Sequence, residues 1–144
     1  MNSEELKSRT RAFALRTIRL AESLPETSTA RVIRNQLLHS GTAVGANYRA
    51  ACRAKSKPDF LSKMGTVEEE ADETIYWMEL LIDAEIVHRS RIASLIDEAD
   101  QIFSIVVTSI KTARGLSDQS VVCNRRSEIG SGQSATRNPN SEIV

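Results

Sequence analysis

The stretch SKPDFLSKMGTVEEEADETIYWMELLI, residues 56–82, has an apolar stripe at steps of three and four residues. Because such positions share one face of an α-helix, the pattern predicts a long amphipathic helix from Lys57 to about Ile86, of the kind found in helix bundles. Ser56 is the expected N-cap, since Pro58 suits a first helical turn and the carboxylate of Asp59 meets its free N–H groups. The stripe consists of Phe60, Met64, Val67, Ala71, Ile75, Met78 and Ile82.

Two helices are predicted before this stretch. The first covers about residues 3–24 and ends at Pro25, which cannot continue a helix. The second begins after an N-cap at Thr27 or Ser28 and extends to about residue 54 or 55. Its apolar positions again recur at three- and four-residue steps, so it should also bury one face.

A fourth helix is predicted for about residues 91–113, with Ser90 as its N-cap and Gly115 at its end. Long helices joined by short connections predict an all-α, antiparallel up-down-up-down four-helix bundle over residues 1–115. The main alternative is three bundle helices with one separate helix. Residues 116–144 are rich in Ser, Asn and Gly and have no helical period, so they predict a disordered tail.

The composition of the 144 residues, 40% hydrophobic and 26% charged, is that of an ordinary globular protein. No apolar run approaches the roughly 18 residues of a membrane span, and the charged N-terminus is unlike a signal peptide. We therefore expect a cytoplasmic protein without a membrane partner. Cys52 and Cys123 stand alone in sequence, which argues against a disulfide framework and against a zinc site.

Charge is segregated along the chain although the net charge is zero. Residues 27–57 contain six basic and no acidic side chains, whereas residues 58–86 contain nine acidic and one basic. Blocks of opposite sign on neighbouring helices are expected to offset each other, within one molecule or between subunits. The alternative is a nucleic-acid surface that uses the basic residues Arg31, Arg34, Arg49, Arg53, Lys55 and Lys57.

The second helix has small and polar residues at positions beside its apolar seam. Gly41 and Gly45 should let a neighbouring helix approach closely. Gln36, Ser40 and Asn47 follow the seam itself, and we expect them to hydrogen-bond to another helix. Arg49 and Arg53 lie on the opposite face and are available to another molecule.

The third helix offers a counterpart to these arginines. Glu69 and Glu73 lie on its back, and Trp77 is either an interface anchor or a core residue. Arginines opposite carboxylates form orientation-specific pairs, so self-association through the second and third helices is a hypothesis. Its inter-helix or oligomer contacts would be Gln36, Ser40, Asn47, Arg49, Arg53, Glu69, Glu73 and Trp77.

Part of this pattern resembles the four-helix-bundle family of 23S rRNA intervening-sequence proteins, over about residues 12–113. The residues that carry the resemblance are Gln36, Ser40, Ala46, Asn47, Asp59, Phe60 and Glu73. The chain departs from the family at Ala50 and Ala51, where a Glu-Gly pair is frequent. The resemblance implies a small bacterial cytosolic protein that forms a ring, usually a homopentamer, and has no enzymatic activity. It also implies relatives that bind a reverse transcriptase and nucleic acid.

No catalytic motif or phosphate-binding loop is present, and neither His39 nor His88 follows a Glu at the spacing of carboxylate-bridged metal sites. We therefore predict no catalytic residue, no metal and no cofactor. The first functional hypothesis is a non-enzymatic, self-assembling scaffold or adaptor, and the second is a nucleic-acid-binding accessory protein. A third, a small hydrolase with paired carboxylates, would require Glu69 and Glu73 in one pocket.

Overall fold

The computed structural model describes residues 1–115, which form four α-helices. The connections span residues 23–27, 52–56 and 84–88, and such short links make successive helices antiparallel. Each helix packs on the next, and a smaller contact between the first and the last closes the bundle. The predicted all-α four-helix fold is confirmed, and the tail predicted for residues 116–144 lies outside the described residues. The helices are α1 (Ser3–Glu22), α2 (Ser28–Ala51), α3 (Lys57–Asp83) and α4 (Arg89–Arg114).

Side chains at the N-termini of α2 and α3 accept backbone hydrogen bonds as predicted. The Thr27 hydroxyl accepts from the N–H of Ala30 at 3.1 Å, and the Ser56 hydroxyl accepts from the N–H of Asp59 at 3.2 Å. Each bond satisfies one of the N–H groups that the first helical turn leaves without a backbone acceptor. Two of the predicted helix starts are therefore confirmed at the level of individual atoms.

The start of α4 differs from the prediction. His88, not Ser90, is the N-cap, and its Nδ1 accepts from the N–H of Ser90 at 3.2 Å. The preceding turn explains this, because α3 ends at Asp83 and Glu85 adopts a positive φ of 59°. Val87, 4% exposed, anchors the connection in the core, so the next residue is the one placed to cap α4.

Gly115 ends α4 as predicted. Its φ of 70° is in the left-handed region, which glycine adopts without the steric penalty of a Cβ. Its N–H donates to the carbonyl of Thr112 at 3.1 Å and so satisfies one carbonyl of the last turn.

The core lies along the axis of the bundle and receives apolar side chains from all four helices. Burial of this surface is the main favourable contribution to folding. Members of the core that are no more than 1% exposed include Phe13, Leu37, Val44, Met64, Met78, Leu81, Ile102 and Val106.

α1 and α2 approach each other closely at the two glycines of α2. A Cβ built on Gly41 would overlap the Cγ2 methyl of Thr17 and lie 3.0 Å from its Oγ1. A Cβ on Gly45 would lie 3.3 Å from the Oγ1 of Thr10, a milder contact. The close helix approach expected at both positions is therefore present, and it is tighter at Gly41.

A partly buried ion pair links α1 to α4, whose contact is smaller than the contacts between successive helices. Arg9 donates from Nε to Oε2 of Glu98 at 2.8 Å and from Nη2 to Oε1 at 2.7 Å. Further along the seam, Arg16 Nη2 donates to the hydroxyl of Ser94 at 2.8 Å. A bidentate guanidinium–carboxylate pair fixes orientation as well as distance, so it sets the register of α1 against α4.

Candidate interaction surfaces

An open groove of about 690 Å³ runs along the outer side of the α1–α2 pair. Lys7 and Arg11 from α1 and Arg49 and Arg53 from α2 line it. We call this surface, with these four cations, the basic groove. Small side chains separate the cations, namely Ala14, Thr42, Gly45 and Ala46.

The three guanidinium groups of the basic groove are not neutralised by any side chain of residues 1–115. Within residues 1–115, none of Arg11, Arg49 and Arg53 forms an ion pair or a side-chain hydrogen bond. The one carboxylate of the groove, Glu4, already binds Lys7 at 3.0 Å. The groove therefore keeps an excess of positive charge that an anionic partner could neutralise.

The other basic residues predicted as nucleic-acid contacts lie elsewhere. Arg34 is directed at the C-terminal end of α1, where its guanidinium donates to the carbonyls of Ala21, Leu24 and Pro25 at 3.1 to 3.2 Å. It satisfies carbonyls that the end of α1 leaves without helical partners. Arg31, Lys55 and Lys57 are exposed but do not line the groove. Of the six predicted residues, the structure brings together only Arg49 and Arg53.

Arg11 and Lys7 are groove residues that sequence reasoning missed. They belong to α1, whose charges are mixed along the sequence, and no local signal separates them from Arg9, which pairs with Glu98. Only their position on the side of α1 that faces α2 could have identified them.

The polar residues of the α2 seam are satisfied within their own helix. Asn47 Nδ2 donates to the carbonyl of Ala43 at 2.9 Å, and the buried hydroxyl of Ser40 donates to the carbonyl of Leu37 at 3.5 Å. Gln36 is exposed. Within the described chain, Ser40 and Asn47 therefore bond inside α2 and not to another helix, because a short polar side chain reaches a carbonyl three or four residues earlier. Their contact with another copy stays a prediction.

A second surface lies on the outer side of α3. Tyr76 is 55% exposed, and its ring contacts that of Trp77 edge to face, with centroids 5.0 Å apart. Trp77 is half-buried at the edge of the core, and its Nε1 donates to Oε1 of Glu73 at 3.1 Å. Glu69 is exposed one helical turn before Glu73. We call Glu69, Glu73, Tyr76 and Trp77 the α3 ridge.

Glu70, between the two ridge carboxylates in sequence, is in a different environment. Its Oε2 is buried and has no hydrogen-bond partner among the described residues. Burial raises the pKa of this carboxyl, and the nearby charges of Glu73 and Glu69 raise it further, while His39 acts in the opposite direction. In the run Glu68–Glu70 the sequence provides no sign that one carboxyl differs from the others.

In the part of the chain from residue 1 to 115, no three His, Cys, Asp or Glu side chains are grouped as a metal site would require. None of the helices in that part is long and apolar enough to cross a membrane.

The chain matches a protein family and is similar to a solved structure of that type. Residues 4–108 match the family described as 23S rRNA-intervening sequence protein. A crystal structure of a protein of unknown function from the S23 ribosomal protein family of Bacteroides thetaiotaomicron is similar, with 35% sequence identity and a TM-score of 0.72. The match covers 77% of this chain and 99% of that one. No curated protein matches the chain.

Proposed function

We propose that this chain, which belongs to the family of 23S rRNA-intervening sequence proteins, is a non-enzymatic scaffold or adaptor that assembles with copies of itself. The assembly is a homopentamer in the bacterial cytoplasm. It carries out no catalytic step and requires no metal or cofactor, and its role is to present a repeated surface to a partner.

The observation that carries this proposal is the aromatic part of the α3 ridge. A single chain leaves 55% of Tyr76 exposed beside the half-buried Trp77. Tyr and Trp are the residues that most often anchor protein interfaces, because they bury a large apolar area and keep one polar group for a hydrogen bond. Here the indole N–H is already bonded to Glu73, so the pair is pre-oriented for contact with another molecule.

Light scattering on the purified chain tests the proposal. We expect a particle of about five times the 15.9 kDa of one chain, at both low and high salt. Tyr76→Ala should reduce this mass, whereas Leu15→Ala, which alters an apolar side chain 47% exposed on α1, should leave it unchanged. A particle of 15.9 kDa across the accessible concentration range would refute self-assembly.

A second candidate function, a nucleic-acid-binding accessory protein, is favoured by the three guanidinium groups of the basic groove, which form no ion pair within residues 1–115. Such a protein would bind a random RNA or DNA oligonucleotide with an affinity that falls steeply as salt rises, because phosphate contacts release counterions. Fluorescence anisotropy measures this directly. Absence of binding at low salt would exclude this candidate.

A further inference from the structure

We propose that the basic groove of one copy receives the α3 ridge of a second copy, with Arg49 and Arg53 paired to Glu69 and Glu73 of that copy. The inference rests on the proposed self-assembly and deepens it by naming the two surfaces that meet.

The spacing of the charges matches on the two helices. Arg49 and Arg53 are four residues apart on α2, and Glu69 and Glu73 are four residues apart on α3. A rise of about 1.5 Å per residue puts each pair about 6 Å apart along its own helix axis. Two helices packed side by side can therefore form both arginine–carboxylate pairs at one register.

The charges that would pair are not already used in ion pairs within residues 1–115. In the described chain, Arg49 and Arg53 form no ion pair, and the ion pairs of residues 1–115 likewise leave Glu69 without a basic partner. Covering guanidinium groups with a protein surface is favourable only if carboxylates or other acceptors replace the lost water. The α3 ridge supplies two carboxylates, and the hydrogen bond from Trp77 holds one of them in place.

The lining of the groove suits a helix better than a nucleic-acid strand. Ala14, Gly45 and Ala46 are small, and small side chains at a contact let two helix axes come close. Among residues 1–115, no aromatic side chain lines the groove, so this part of the chain offers no platform on which unpaired bases could stack. An acidic helix carrying Tyr76 would instead provide both the charge and the apolar area.

The two surfaces lie on different helices, the groove on α1 and α2 and the ridge on α3. One copy can therefore offer its groove to one neighbour and its ridge to another. Contacts between two different patches are head-to-tail and generate either a closed ring or an open filament. The inference thus supplies a contact from which the proposed ring can be built.

Charge reversal and its rescue test the pairing. Arg49→Glu/Arg53→Glu and Glu69→Arg/Glu73→Arg should each reduce the assembly to a 15.9 kDa chain in light scattering. The chain with all four substitutions should assemble again, because the signs are exchanged while the pairs are kept. Arg91→Glu, a reversal at an exposed residue in the first turn of α4, should not change the mass. Circular dichroism confirms that each variant is folded.

Trp77 provides a second, independent measurement because it is the single tryptophan of the chain. If the ridge is covered in the assembly, acrylamide should quench its fluorescence more efficiently in Arg49→Glu/Arg53→Glu than in the unchanged chain. Arg91→Glu should behave as the unchanged chain does. Equal quenching of an assembled and a dissociated chain would contradict docking of the ridge.

The possible outcomes separate this inference from the proposed function. A wild-type chain of 15.9 kDa would refute both. An assembly that survives Arg49→Glu/Arg53→Glu would refute the pairing and leave self-assembly standing. Dissociation without rescue by the four-residue exchange would exclude the α3 ridge as occupant. Loss of salt-dependent oligonucleotide binding in the arginine variant, with the mass unchanged, would assign the groove to nucleic acid instead.

Discussion

Replacing Gly41 by Ala should destabilise the bundle even though alanine is the better helix former. In a helix interior, Gly→Ala alone stabilises by about 1 kcal/mol. At Gly41 the added methyl would overlap Cγ2 of Thr17 on α1, and forcing an extra methyl into a tight contact typically costs about 1–3 kcal/mol. We therefore expect a net change between about zero and 2 kcal/mol of lost stability.

Gly65→Ala is the matched control, because a Cβ at Gly65 on α3 has no atom within 4 Å. It should stabilise by roughly 1 kcal/mol. Subtracting the change in unfolding free energy of Gly65→Ala from that of Gly41→Ala cancels the helix-propensity contribution. The remaining difference, about 1–3 kcal/mol, is the cost of the contact with Thr17. Urea unfolding followed by circular dichroism, at one fixed protein concentration, measures both free energies of unfolding.

Two results would refute this reasoning. One is a Gly41→Ala variant at least as stable as Gly65→Ala. The other concerns the double variant Gly41→Ala/Thr17→Ser, which removes the overlapping methyl and should recover part of the loss. If the changes in unfolding free energy of the two single substitutions simply added up in the double variant, the contact between Gly41 and Thr17 would not be the cause of the lost stability.

Two further predictions concern α1 and α3. Arg9→Ala should lower the free energy of unfolding by about 1 kcal/mol, because it removes the partly buried bidentate pair with Glu98. Arg9→Lys should recover only part of this loss, since an ammonium group cannot form the two parallel hydrogen bonds of a guanidinium. Urea unfolding of both variants measures this, and equal stability of Ala, Lys and Arg at the position would contradict it. Glu70→Gln should stabilise the fold at neutral pH, because burial raises the pKa of Glu70 and its ionised form is the disfavoured one. The gain should be largest above the raised pKa and disappear as pH falls below the ordinary value of a glutamate, and a gain that did not change with pH would refute the assignment.

Much of the bundle could be read from local sequence. The stripe from Phe60 to Ile82, the N-caps Thr27 and Ser56 and the C-terminal Gly115 all act over four residues or fewer, so their effects are visible in the order of residues alone. The start of α4 was misplaced because it depends on where Val87 enters the core, which is a tertiary contact.

The candidate surfaces were harder to predict, because arginines that look alike in the sequence have different hydrogen-bond and ion-pair partners in the structure. The sequence grouped Arg34 with Arg49 and Arg53, but the structure turns Arg34 to the carbonyls at the end of α1. Arg9 is likewise paired with Glu98, whereas Arg11, two residues further along the same helix, lies in the basic groove.

Helix number and fold class thus follow from residue spacing, since α-helical periodicity and capping depend on near neighbours in the chain. Which cations stay unpaired, which carboxylate is buried and how closely α1 meets α2 were decided by the tertiary structure. Hydrogen bonds and ion pairs act over about 3 Å, and at that range the partner of a side chain depends on which helices are adjacent and at what register.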